Sequence, residues 1–291
     1  MIVVTLMGGM GNQMFQYALG RSLSLKYDKP LKIDLSFLKR RDMGPNFVYR
    51  DYDLDLFNVY EDFDIQQMGY ANYAWSGPNG PLAKVNEPHY HYSQPLMDSI
   101  DNTIRNNPEA NFLINGYWQT PLYFKEFEDQ IRKDFTFRDR VEDADGHIKD
   151  MLEKIRSTNS VLLNVRRTDY LNTNYHGVMG NDYLDKGVEL IKSKVENPHY
   201  FVFSDDVEWC KENIKYDNMT IVDHSYKGDR FGYYLQLMKN CKHFIIPNSS
   251  FAWWAAWLNE DTDKVVVAPK QWFTDSNINT NDLIPDSWIR I

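Results

Sequence analysis

The chain has 291 residues, 43% of them hydrophobic and 25% charged, enough for one large domain or two of ordinary size. Its net charge of −9 argues against bulk nucleic-acid binding, which needs a basic footprint, so a phosphate-bearing ligand must meet a local basic pocket. Two cysteines, Cys210 and Cys241, are too few for a disulfide framework or a zinc site and fit a reducing cytoplasm. No apolar run approaches the roughly 18 residues of a membrane span.

The opening Ile2–Leu6 reads as a strand, not a leader peptide. It runs into Gly8-Gly9-Met10-Gly11 and a helix predicted over Asn12–Tyr27, with Met14, Tyr17, Ala18 and Leu25 on one face and Pro30 as its stop. Leu31, Ile33, Leu35 and Phe37 alternate with Lys32, Asp34 and Ser36, a second strand that completes a βαβ opening. Residues 60–110 show no clear period. Residues 111–116 form another predicted strand, ending in Tyr117-Trp118-Gln119. The charged stretch 139–150 reads as a solvated linker or exposed helix and sets the expected domains at 1–150 and 151–291. A second βαβ series follows. Strand 161–165 ends at Arg166-Arg167, 199–203 at Ser204-Asp205-Asp206, 243–246 at Pro247-Asn248-Ser249-Ser250, and 264–268 at Pro269-Lys270. The expected architecture is α/β, two Rossmann-like halves facing a cleft.

In an open α/β sheet, ligands bind just beyond the strand ends. Arginine there points to an anion, because its planar fork grips phosphate oxygens and keeps its charge. Arg166 and Arg167 are adjacent on a strand and must face opposite ways, so one reaches the ligand and the other pairs with an acid such as Asp169. Helix N-termini after Gly11 and after Pro247 offer N–H groups to a pyrophosphate, with Ser249 or Ser250 as a cap. Trp253, Trp254 and Trp257 lie at helical spacing and read as packing.

The Gly-rich loop lacks the Lys-Ser/Thr of a P-loop and the third glycine of a dinucleotide fingerprint, where Met14 stands, although Asp34 ends the second strand as that fingerprint requires. Asp205 and Asp206 face opposite ways and make a poor glycosidase pair. The Asp-x-Asp triplets at Asp51–Asp55, Asp62–Asp64 and Asp261–Asp263 are what an acidic chain makes by chance, and His89-x-His91 lacks a third metal ligand.

Taken in order, these motifs resemble the α1,2-fucosyltransferases of glycosyltransferase family eleven. The matching pieces are Gly8-Gly9-Met10-Gly11-Asn12-Gln13, Gly116-Tyr117-Trp118-Gln119, Arg166-Arg167-x-Asp169-Tyr170, Phe203-Ser204-Asp205-Asp206, the run from Asn248 to Leu258, Pro269-Lys270-x-Trp272 and Trp288-Ile289-x-Ile291. The resemblance implies a GT-B fold and inverting transfer of L-fucose from GDP-fucose to the 2-hydroxyl of a terminal galactose, without a metal or other cofactor. It implies Arg166 and Asn12 as catalytic residues. Gly9, Gly11, Asn164, Arg166, Asp205, Asn248, Ser249, Ser250 and Phe251 would bind the donor, and Trp118 and Gln119 the acceptor. The partners implied are a nucleotide sugar and an oligosaccharide acceptor, in the cytoplasm and, if at a membrane, on its inner face. Asn164 and Thr168 depart from the family's His-x-Arg-Arg-Gly-Asp, and Tyr234 stands where the family carries an aspartate that can recognise guanine. Asp205, Asp206 and Glu87 are the carboxylates available as a general base. The rival readings are another nucleotide sugar, a non-catalytic glycan-binding protein and, from the first βαβ unit alone, a nicotinamide oxidoreductase.

Overall fold

The computed structural model describes residues 1–44, 47–60, 76, 77, 80–144, 146–172 and 175–291. The chain divides into two compact units, Met1–Thr136 with Asn279–Leu283, and Phe137–Ile278 with Ile284–Ile291.

The first unit runs β1 (Ile2–Thr5), α1 (Met10–Tyr27), β2 (Leu31–Asp34), α2 (Ser36–Lys39), β3 (Ser76–Gly77), β4 (Gly80–Asn86), α3 (Gln94–Asn106), β5 (Asn111–Asn115) and α4 (Glu128–Asp134). Its sheet order is β2-β1-β5-β4-β3, parallel except for the short β3–β4 pair. All four residues of β1 are buried, as expected of an inner strand covered on both faces. The second strand stops at Asp34 and does not run on to Phe37. The Asp34 carboxylate accepts the Ser36 N–H and hydroxyl at 2.9 Å each and the Thr5 hydroxyl at 3.0 Å, a local turn that diverts the chain into α2. Helix α1 starts at Met10 and ends on Asp28 in the left-handed region, φ 49°, before Pro30 is reached. It is fastened to α4 by the buried Asp134, whose carboxylate accepts from Tyr17, Arg21 and Gln130 at 2.7, 3.1 and 2.7 Å.

The second unit runs α5 (His147–Ser157), β6 (Asn159–Val165), α6 (Asn181–Lys192), β7 (Pro198–Ser204), α7 (Val207–Asn213), β8 (Met219–Val222), α8 (Gly232–Lys239), β9 (His243–Ile245), α9 (Ser250–Leu258), β10 (Val266–Ala268) and β11 (Ile289–Arg290). Its sheet, β11-β10-β9-β6-β7-β8, is parallel throughout. The charged stretch 139–150, expected to be a solvated linker or an exposed helix, belongs to this unit, and from His147 on it is the start of α5. The Val141 N–H donates to Gln236 Oε1 and Gln236 Nε2 to the Asp139 carbonyl, each at 2.9 Å, so the division falls at Thr136/Phe137 and not near 150. Residues 279–283 return to the first unit, where Asp282 takes the Tyr92 N–H at 2.5 Å and the Thr120 hydroxyl at 3.0 Å.

Both units are therefore α/β with a doubly wound sheet, the Rossmann-like class expected. In the first, chain order reverses between β1 and β5; in the second, between β6 and β9. At such switch points the loops diverge to opposite faces and leave a crevice at the carboxyl ends of the strands.

Helix α9 supplies much of the second unit's aromatic packing. Trp253, fully buried, lies edge-on to Trp254 at 5.0 Å between ring centroids and against Trp288 at 5.6 Å. Trp253→Ala is expected to lower the unfolding free energy by about 3–5 kcal/mol, because the lost contacts leave a cavity; urea titration followed by far-UV circular dichroism measures it.

Candidate active site

In the second unit the two strands flanking the switch point carry the predicted phosphate residues. Strand β6 delivers Arg166 and Arg167, and β9 leads through Pro247 to Asn248 and the α9 N-terminus. The two arginines part as strand geometry requires, and each meets an acid, a choice the sequence had left open. Arg166 takes Asp169, Nη2 to Oδ2 at 2.5 Å, and also lies 3.2 Å from Asp205. Arg167 pairs with Asp206 at 3.4 Å and lies over the Trp209 ring at 3.9 Å. The reason is Asp205, which accepts the Arg167 N–H at 2.9 Å, the Thr168 N–H at 3.1 Å and the Thr168 hydroxyl at 2.5 Å. That grip folds the chain back so that Asp169 meets Arg166. Burial works against the Arg166 charge, yet Asp205 and Asp169 outweigh it and hold the guanidinium more firmly protonated than usual. Threonine at 168, a departure from the family pattern, thus adds a hydroxyl to the Asp205 anchor.

The two strand ends are tied together. The Tyr170 hydroxyl donates to the Asn248 carbonyl at 2.8 Å, and its ring stacks on His176 at 4.6 Å. Asn248, 1% exposed, donates Nδ2 to the carbonyls of His176 and Trp272 at 2.6 and 3.0 Å, so it organises the loops from beneath. Ser249 occupies the N-cap of α9, but its side chain makes no cap hydrogen bond. Ser250 and Phe251 open the helix and are partly exposed, whereas the three tryptophans behind them are packing, as expected. Asn164 is buried and donates to the Phe203 carbonyl at 3.0 Å, fastening β6 to β7. Tyr234, 3% exposed, donates its hydroxyl to the Val222 carbonyl at 2.5 Å.

In the first unit the first turn of α1, which follows β1, and the loop after β5 meet across the switch point. Gln119 Nε2 donates to Asn12 Oδ1 at 2.8 Å, joining one residue expected at the catalytic centre to one expected at the acceptor. Gly8, φ +73°, is the glycine the backbone requires, since a Cβ there would sit 2.5 Å from Asn12 Nδ2; Gly9 has room for one. Gly11 is buried in the first turn of α1. Trp118 contradicts the expectation of an acceptor platform. It is 1% exposed and edge-on to Tyr123 at 5.4 Å, and its indole nitrogen is buried without a hydrogen-bond partner. Its φ of +59° places a bulky residue in the left-handed region, a conformation that costs about 1–3 kcal/mol and gathers at functional sites. Glu87, just past β4, holds the turn by accepting the Tyr117 and Trp118 N–H groups at 2.7 and 2.9 Å.

Sequence reasoning missed the part played by Gln13. Fully buried, it donates to the Gly8 and Asp51 carbonyls at 3.0 and 2.8 Å and accepts the Asp53 N–H at 3.0 Å. Its place in the first helical turn beside the glycines was the available signal. The Asp51–Asp53 segment is therefore a backbone staple, with the Asp51 carboxylate on Arg41 at 2.8 Å. Asp261 accepts the Asp263 N–H in a loop turn, and Asp62 and Asp64 lie outside the described residues. Among the described residues no three His, Cys, Asp or Glu side chains gather to hold a metal, and no helix is long and apolar enough to cross a membrane. His89 and His91 stack face to face at 3.5 Å. Asp34 is consumed by its own turn, which removes the ribose contact that a dinucleotide site needs.

The sequence profile of glycosyl transferase family 11 matches residues 84–291. An α1,2-colitosyltransferase from Escherichia coli is 32% identical over 100% of this chain and 98% of its own length. The O-antigen biosynthesis glycosyltransferase WbnK, also from Escherichia coli, is 28% identical over 98% and 99%. Human galactoside α-(1,2)-fucosyltransferase 1 is 28% identical over 50% of this chain and 42% of its own.

The Glu87 carboxyl makes stability respond to pH. Burial raises it from the ordinary 4.5 to about 7, against the two N–H bonds and His89, which lower it. Its folded pKa therefore lies above its unfolded one, so its stabilising contribution is complete below about 4.5 and is lost as pH rises through about 7. Unfolding free energy measured relative to Glu87→Gln is expected to fall between about pH 5 and pH 8; parallel curves for the two chains would contradict this.

Proposed function

The chain belongs to glycosyl transferase family 11, and as a glycosyltransferase of that family we propose that it moves L-fucose from GDP-fucose to the 2-hydroxyl of a terminal galactose on a glycan, inverting the anomeric centre. The observation that carries the reading is Arg166, placed at the switch point of the second unit's sheet with the α9 N-terminus at the neighbouring strand end. An acceptor hydroxyl attacks the anomeric carbon opposite the leaving diphosphate, and negative charge grows on the β-phosphate as that bond breaks. Arg166 and the N–H groups at Ser249, Ser250 and Phe251 meet that charge. Asp169 and Asp205 hold the guanidinium in place beforehand, so little reorganisation is needed when the ligand arrives. Asn12 and Gln119, joined to each other, bind sugar hydroxyls in the first unit.

Asn164 and Asn248 serve the donor indirectly, through the loops they fasten. Tyr234 directs its hydroxyl to a backbone carbonyl, so guanine recognition falls to other groups. The end-to-end likeness to a colitosyltransferase favours one second reading, GDP-colitose as donor, which differs from GDP-fucose in lacking the 3-hydroxyl. The two buried free thiols suit a reducing compartment such as the cytoplasm.

Calorimetry with GDP, followed by transfer assays with GDP-fucose and GDP-colitose on a galactoside, tests the reading. A chain that binds no GDP would be a glycan-binding protein instead. Arg166→Ala is expected to lower kcat about 10²–10³-fold, the loss typical of one preorganised donor to a developing anion, with the circular dichroism spectrum unchanged. Near-normal turnover would remove Arg166 from the chemistry. Transfer is also expected to persist in excess chelator, and a strict need for added manganese would count against a metal-free mechanism.

A further inference from the structure

The transfer reaction releases a proton from the acceptor hydroxyl, and the carboxylates of the two sheet edges differ in their freedom to take it. Asp205 is engaged by two backbone N–H groups, a threonine hydroxyl and the Arg166 guanidinium, and Asp206 by Arg167 and the Trp209 N–H. Glu87 has no arginine or lysine within ion-pair reach among the described residues. It is partly buried at the carboxyl end of β4, beside the loop that follows β5. Its two oxygens accept one N–H each, from Tyr117 and Trp118. A carboxylate has about four acceptor positions, so each oxygen keeps a lone pair for another proton. Gly116 packs directly against the Glu87 side chain, where a Cβ would come within 2.4 Å of the Glu87 Cβ. The turn that Glu87 grips carries Gln119 to Asn12 across the switch point, which brings a carboxylate and two hydroxyl-binding amides to one edge of one sheet.

We propose that Glu87 is the general base of the reaction, taking the proton of the attacking acceptor hydroxyl. The hydroxyl O–H bond breaks as its oxygen bonds to the anomeric carbon, the bond from that carbon to the β-phosphate oxygen breaks with its electron pair on GDP, and the proton rests on Glu87 until solvent removes it. The inference rests on the glycosyl-transfer reading and deepens it by naming the residue that activates the acceptor. Burial tunes the group for the task, since a base is most effective when its pKa lies near the working pH, and burial lifts this carboxyl to about 7. The titratable groups facing it are His89, Tyr117 and Tyr123, and burial pushes both tyrosines upward, away from neutrality.

The test is the pH dependence of kcat/KM for the intact protein with GDP-fucose, or GDP-colitose if that donor is the active one, and a galactoside. The wild type should show a single rise centred near pH 7. Glu87→Gln should lose that rise and fall about 10²–10⁴-fold at pH 8, the range of one positioned general base, while its GDP affinity by calorimetry stays within about twofold. His89→Gln should keep the rise. A wild-type profile flat from pH 5 to pH 9 would overturn the proposal without any variant having to fold. A Glu87→Gln profile parallel to the wild type would do the same and leave Glu87 as a turn anchor alone, and transfer of the inflection to His89 would also overturn it. If the wild type binds no GDP, it is the transfer reading that fails.

Discussion

In each unit a carboxylate at the end of one parallel strand grips two successive backbone N–H groups just past the neighbouring strand. Asp205 after β7 holds Arg167 and Thr168 beyond β6, and Glu87 after β4 holds Tyr117 and Trp118 beyond β5. Parallel strands bring all their carboxyl ends to one edge, where the loops leave the ladder and their N–H groups lose strand partners. A short acidic side chain from the adjacent strand satisfies two of them at once. Both site geometries follow from this. Asp205 turns the chain so that Arg166 faces Asp169, and Glu87 holds Trp118 at positive φ so that Gln119 reaches Asn12.

The two anchors differ in what stands beside them, and that difference separates their chemistry. Asp205 has a guanidinium at 3.2 Å. Among the described residues Glu87 has backbone N–H groups and no arginine or lysine beside it, and burial raises its carboxyl to about 7. The same device thus carries an ion-paired carboxylate in one unit and, in the other, a carboxyl held by backbone N–H groups. Around each, buried amides do the holding: Gln13 and Gln119 near the Gly-rich loop, Asn164 and Asn248 near the arginines. Amides suit this work because they donate and accept at once and carry no charge to desolvate.

The helix packing behind the second site serves it too. Trp253, Trp254 and Trp257 fill the space beneath α9 and keep its first turn at the end of β9. The tryptophans are core, and the exposed chemistry begins at Ser250 and Phe251.

The sequence by itself determined the elements whose cues are local: the buried strands, the Gly-rich turn into α1, the polar residues that end each strand of the second unit and the family to which their order belongs. Tertiary structure alone decided who partners whom. Asp205 reaches its N–H partners 38 and 37 positions away and Glu87 reaches its own 30 and 31 away, because those strands are neighbours in the sheet, and strand order leaves no mark within a strand. For the same reason it is Arg166 that meets Asp169 while Arg167 takes Asp206, Trp118 turned inward, and the charged stretch near 140 proved to be packed against Gln236. Periodicity reports which face of an element is buried, whereas the chemistry of a buried carboxylate depends on which distant groups are folded against it.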